Sequence, residues 1–294
     1  VIRAYGDLLV DMPMEVPLRW EPLVALAGGG ALFSQRQSQS SAAGPDESTE
    51  HRVIEFLLAD RSNPGSVASS IAFARENLRT TREVVPREAW QTLNGLHQYA
   101  SSEADRAIGR RSRDRFLGRV VDDSRRLDGQ IESTMTRAAP YRMWQLGRLI
   151  ERADMTTRVL GVRAAAILEM DGSMFEDDHD EVQWMGVLRS VSALQMFQRA
   201  THGPIEGAAV VRFLLYYSRF PRSVQGCLDE LRAVVATLPS PEPVLTALDA
   251  ADAALASCAP GADDGAVLDD AMDTVQIALA ALDRSITERY FAGA

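Results

Sequence analysis

The sequence predicts an all-α protein, a pseudo-symmetric helical bundle built from two related halves. Apolar residues recur at spacings of three, four and seven over long stretches, the period of a helix with one buried face. No segment shows the strict alternation of a half-buried strand. The first part of the chain also repeats weakly in the second.

The 294 residues, 46 % of them hydrophobic, suffice for a sizeable core. The net charge of −10 argues against a nucleic-acid footprint. All 31 basic residues are arginine. The chain therefore supplies no lysine for Schiff-base chemistry or for a P-loop phosphate site. Cys227 and Cys258 stand far apart without metal-ligand spacing and read as reduced core residues of a cytoplasmic protein. No apolar run reaches the roughly 18 residues of a membrane span, and no signal peptide is visible.

Along the chain, Val1 to Leu9 reads as the end of a helix, and Pro13, Pro17 and Pro22 limit regular structure after it. A short helix is expected over Trp20–Leu26. The stretch 28–50, with three consecutive glycines and a Ser/Gln-rich run, reads as a mobile loop. His51–Ala59 is apolar enough for a helix. Asn63 then caps, and Pro64 opens, a helix that buries Val67, Ile71, Ala74, Leu78 and Val85. Pro86 ends it, and another helix runs to Tyr99. An Arg-rich helical region follows over Ala104–Thr136, broken near Gly118 and Gly129, and Pro140 opens a long central helix. Met170–Glu181 is an acidic break. Its Glu176-Asp177-Asp178-His179 matches one half of a di-metal Glu-x-x-His signature, but a single copy in a loop-like run reads as solvated, and no metal site is assigned. Further helices are expected over Trp184–Thr201, Ile205–Tyr217, Pro221–Thr237, Val244–Cys258 and Ala266–Tyr290.

The central helix, about Met143 to Ile167, organises the rest. Met143, Leu146, Ile150, Ala153, Leu160, Ala164 and Ile167 form one apolar face. Trp144, Arg148, Glu151, Met155, Arg158 and Val162 form a second, in which charges stand between large apolar side chains. That framing predicts a helix covered on both sides, with Arg148–Glu151 and Asp154–Arg158 paired on it. Such a network serves either to lock helices together or to hold a ligand. Arg75-Glu76-Asn77-Leu78-Arg79 is a second dense polar group, readable as a solvated helix face or as part of a site.

Phe56-Leu57-Leu58, Pro64, Ser66-Val67, Ile71 and Arg75 correspond, 157 residues on, to Phe213-Leu214-Leu215, Pro221, Ser223-Val224, Leu228 and Arg232. Val1–Ala4 resembles Val159–Ala164 at nearly the same offset. Two halves follow, about 1–140 and 141–294, and the first-half partner of the central Arg-x-x-Glu-Arg would fall before Val1. The expectation is one domain lacking its first Glu-Arg helix.

These residues resemble the Alpha-E family, helical bacterial domains named for a Glu-Arg motif. The resemblance rests on Leu146–Asp154, Asn63-Pro64-x-Ser66, Ala74-Arg75-Glu76-Asn77-x-Arg79, Phe220-Pro221-Arg222-Ser223-Val224 and the closing Asp283–Phe291. It implies company: a circularly permuted ATP-grasp protein and a transglutaminase-like protein. ATP-grasp enzymes activate a carboxylate as an acyl phosphate and pass it to an amine, so ATP and magnesium are implied for that partner and no cofactor for this chain. The leading expectation is a non-catalytic accessory or substrate-binding partner of an amide or peptide ligase, in which Arg75, Arg79, Arg148, Arg152 and Arg222 recognise carboxylates. Glu76, Asn77, Glu151, Asp154, Arg158 and Ser223 complete the candidate ligand or ion-pair set. The alternatives are an enzyme of the same pathway using Glu151, whose arginine neighbours are expected to hold its pKa down, and a structural module forming homo-oligomers. No Ser-His-Asp or Cys-His arrangement is apparent among the four scattered histidines.

Overall fold

A computed structural model describes residues 20–39, 49–169, 177–258 and 265–291, and every regular element among them is helical. They fall into two compact units, one within Pro17–Tyr141 and one within Arg142–Ala294. The helices expected over Val1–Leu9, the prolines Pro13 and Pro17 and the acidic residues before Asp177 lie outside the described residues.

The first unit opens with α1 (Glu21–Leu26) and α2 (Gly30–Gln39). The second of these corrects the loop expected over 28–50: its residues 30–39 are helical. The glycines make a tight turn. Gly28 adopts φ 68°, a left-handed conformation that a side chain disfavours. A Cβ on Gly29 would stand 2.7 Å from Cε1 of Phe56. That close approach seats Phe33 edge-on against Phe56 at 5.1 Å between centroids, and the aromatic contact holds the helix that composition concealed.

Next come α3 (Thr49–Leu58) and α4 (Val67–Thr80). The cap of α4 is Ser66, whose hydroxyl accepts from the Ser69 N–H at 3.1 Å. Asn63, expected to cap, instead orders the turn: its amide donates to the Phe56 carbonyl at 2.8 Å and accepts from the Gly65 N–H at 3.0 Å. On α4 the fully buried residues are Ala68, Ser69 and Ile71, while Val67, Ala74 and Leu78 are half-buried. The unit continues with α5 (Arg87–Glu103), a 3-10 turn over Asp105–Ile108 and α6 (Arg110–Thr134). Here too the expectation is corrected. The break falls at that turn, and α6 runs unbroken through Gly118 and Gly129, around which there is open space. Helices α4 and α5 pack together, as do α5 and α6.

The second unit is built from α7 (Ala139–Glu169), α8 (Asp177–Ser190), α9 (Leu194–Thr201), α10 (Gly207–Tyr216), α11 (Val224–Val235), α12 (Glu242–Ser257) and α13 (Gly265–Tyr290). His179 and Glu181, read as loop, lie in the first turns of α8. The helix expected over Trp184–Thr201 is two helices, because Ser192 turns left-handed at φ 57° and the Ala193 N–H closes back on the Leu188 carbonyl at 2.7 Å. Phe197, Phe213, Tyr217 and Phe220 form one aromatic cluster, with centroids 5.0–5.4 Å apart along it. Helix starts in the two units keep a near-constant spacing: α10 to α13 begin at 207, 224, 242 and 265, where α3 to α6 begin at 49, 67, 87 and 110.

Candidate functional site

The site is best built from α7. Leu146, Leu149, Ile150, Ala153, Thr156, Thr157 and Leu160 are all buried, so the covered stripe is wider than the apolar residues alone suggest. Two hydroxyls in it demand acceptors. Thr157 donates to the Asp154 carbonyl at 2.8 Å. Thr156 shares its proton between the Arg152 carbonyl, at 2.9 Å, and the Arg222 carbonyl, at 2.8 Å. The second of these fastens α7 to the turn ahead of α11. Sequence reasoning passed over Thr156, although a threonine inside an apolar stripe is itself a signal of a buried partner.

That turn is closely built. Ser223 is fully buried and caps α11, accepting from the Gly226 N–H at 3.0 Å. Its hydroxyl in turn donates to the Tyr217 and Phe220 carbonyls, at 2.8 and 3.0 Å. Ser223 is therefore a structural member of the predicted set, and what it positions is Arg222.

The Thr156 hydroxyl joins the backbones of Arg152 and Arg222, Arg148 stands one turn before Arg152 on α7, and the charges of all three act on the buried thiol of Cys227. Burial pushes that thiol up to about 12; Arg152, Arg222 and Arg148 pull it down, and Glu230 adds to the rise. The thiol stays protonated at neutral pH and is no nucleophile. Arg148 also lies over the Trp144 ring, 4.3 Å from its centroid.

The face carrying Trp144, Arg148, Met155, Arg158 and Val162 is half-buried, and Glu151 on it is exposed, so it is not covered as the spacing suggested. Of the two predicted pairs, Asp154–Arg158 forms at 2.6 Å. Glu151 corrects the expected direction of its pKa. Protein packed around its base and the neighbouring carboxylates of Asp154 and Asp283 push it up, and the cation opposing them is Arg158. The missing signal was chiefly that burial, to which Asp283 on α13 adds a smaller push from far along the chain.

Arg75, Glu76, Asn77 and Arg79 belong to the first unit. Arg79 and Glu76 pair at 2.6 Å on the surface of α4, holding the carboxyl of Glu76 below its ordinary range. Asn77 contributes its carbonyl, which accepts from the hydroxyls of Thr80 and Thr81. Arg75 turns instead toward α5, donating from Nε to Asn94 at 2.8 Å.

No described helix is long and apolar enough to cross a membrane. A family model described as a predicted alpha-helical domain with a conserved ER motif matches residues 1–291. Neither the curated proteins nor the solved structures contain a match.

Proposed function

The chain belongs to the Alpha-E family, and on that premise we propose that it is a non-catalytic helical partner of an ATP-grasp amide or peptide ligase, holding a carboxylate-bearing substrate for it. The observation that carries this reading is the Thr156 hydroxyl, which joins the backbones of Arg152 and Arg222, with Arg148 one turn before Arg152 on α7. In a protein of net charge −10, three arginines so placed favour an anion, and their planar forks match a carboxylate. Such a partner needs neither a lysine nor a reactive thiol. The circularly permuted ATP-grasp protein, and the transglutaminase-like protein with it, are proposed as companions in the cytoplasm. ATP and magnesium would bind to the ligase and not to this chain.

The test is co-expression with a circularly permuted ATP-grasp protein, with masses measured by light scattering. A mixed complex is expected. Arg148→Gln, Arg152→Gln and Arg222→Gln should each weaken substrate capture about tenfold, the worth of one charge-assisted pair, while leaving the thermal midpoint in place. Separate elution of two folded proteins would remove the ligase-partner reading, and self-association alone would point to a structural oligomer.

One observation favours a second reading, an enzyme of the same pathway: the carboxyl of Glu151 is raised, as a general acid requires. Turnover of candidate peptides that is lost in Glu151→Gln with the fold kept would establish it; turnover unchanged by that substitution would remove Glu151 from the chemistry.

A further inference from the structure

Corresponding arginines of the two units meet different partners. In the second unit Arg232, on α11, reaches across to α12 and donates to Asp249 at 2.8 Å and Asp252 at 2.6 Å. Its counterpart 157 residues earlier is Arg75, on α4, which reaches across to α5. The caps of α5 and α12 are Pro86 and Pro241. Aligned on those caps, Asp249 falls on Asn94 and Asp252 on His97. The first unit keeps the arginine and the reach but has an amide and an imidazole where the second has two carboxylates. The amide still takes one N–H of Arg75 and contributes no charge.

Other cations gather at the same place. The guanidinium carbons of Arg75 and Arg82 lie 5.5 and 5.1 Å from the centroid of Trp90, one turn before Asn94 on α5. The indole orients both groups by cation–π attraction and covers their stems. Burial and the charges of Arg75 and Arg61 lower the pKa of His97, so its imidazole is neutral at pH 7. Among the described residues no carboxylate forms an ion pair with Arg61, Arg75 or Arg82. The nearest on α4, Glu76, is held through both oxygens by Arg79.

We propose that the face formed by Arg75, Arg82, Trp90, Asn94 and His97 binds a carboxylate from another molecule, in the place that Asp249 and Asp252 occupy in the second unit. The chemical class follows from the repeat, because Arg232 shows which group this geometry accepts. This site lies wholly within the first unit, and it stands whether or not the chain serves a ligase.

The experiment is calorimetric titration of the full chain with glutarate, with the capped peptide acetyl-Glu-Glu-Glu-amide and with inorganic phosphate. Saturable binding of a carboxylate probe is expected, and the tighter of the two tells a small dicarboxylate from an acidic peptide segment. Arg75→Gln and Arg82→Gln should each weaken it about tenfold, the loss of one charge-assisted contact, whereas Arg106→Gln, which breaks a separate surface pair with Glu103 in the same unit, should leave it unchanged. The deciding variant is N94D/H97D, which restores the two carboxylates of the second unit. It should fold with an equal or higher thermal midpoint and bind neither carboxylate, because Arg75 is then satisfied internally. Three results would each overturn the proposal: no saturable binding of either carboxylate up to about 10 mM, a range within reach of weak single-site pairing; undiminished binding by folded N94D/H97D; or tighter binding of phosphate than of both carboxylates.

Discussion

Gly226 shows how little room the turn ahead of α11 leaves. A Cβ there would stand 2.8 Å from each of three oxygens: the carbonyls of Phe220 and Ser218 and the hydroxyl of Ser223. Two are backbone atoms and the third is the cap itself, so none can swing aside. Gly226→Ala should cost about 2–3 kcal/mol, at the upper end of overpacking, read as a lower urea midpoint. Gly118→Ala is the matched control. It adds a methyl to open space in a helix interior and should gain about 0.5–1 kcal/mol. The same turn carries Arg222, so Gly226→Ala should also weaken substrate capture, which Gly118→Ala should not. The first unit has Ser69 where the second has Gly226, and the Ser69 hydroxyl accepts a hydrogen bond from Ser66 at 3.0 Å.

At the scale of elements, Glu50 clips the start of α3 to the start of α6 through Arg113, at 2.9 Å, and Arg110, at 3.2 Å. Partial burial pushes its carboxyl up, but hydrogen bonds from Arg113 and Arg110 and their charges outweigh that and leave it below 4.5. Because the folded value is depressed, the native state binds fewer protons here than the unfolded chain. The clip is fully present above pH 4.5 and is lost as pH falls through the lower, folded value. Glu50→Gln should cost about 1 kcal/mol at pH 7, a magnitude suited to a partly exposed pair, and should flatten the acid limb of the stability profile measured by chemical denaturation. Elements were also where the sequence was most and least legible. The period of α7 was plain, because one apolar face recurs along it from Met143 to Ile167. Helix α2 was not, because glycine and serine mark loops by composition, and the Phe33–Phe56 contact that overrides them spans 23 positions. Glycines at 118 and 129 suggested breaks, yet a helix tolerates glycine when its neighbours along the chain propagate it. Of the candidate site, Asp154–Arg158 could be read from spacing. The environment of Glu151 could not, since the burial of its carboxyl and the approach of Asp283 both come from tertiary packing. The setting of Arg75 was half-legible: the repeat found the arginine, but its partners emerge only when α5 and α12 are aligned as well.

Across the whole molecule, each unit buries its own apolar core, from Leu23 to Tyr141 in the first and from Leu146 to Ile286 in the second. A substitution confined to one core should therefore loosen that core. Hydrogen exchange followed by mass spectrometry should show Glu50→Gln accelerating α3 and α6 with α10–α13 unchanged, and Gly226→Ala the reverse. Equal acceleration everywhere under either substitution would mean that the chain opens as a single cooperative body. The two cysteines carry a practical consequence. Both are buried, and burial raises both thiols, Cys227 as far as about 12. With no lysine in the sequence, maleimides and activated esters find almost nothing to modify. A cysteine placed at the exposed position Ser101 would give a single attachment point for a fluorophore or spin label on an otherwise unaltered background, enough to test the proposed ligand capture by the first unit one molecule at a time.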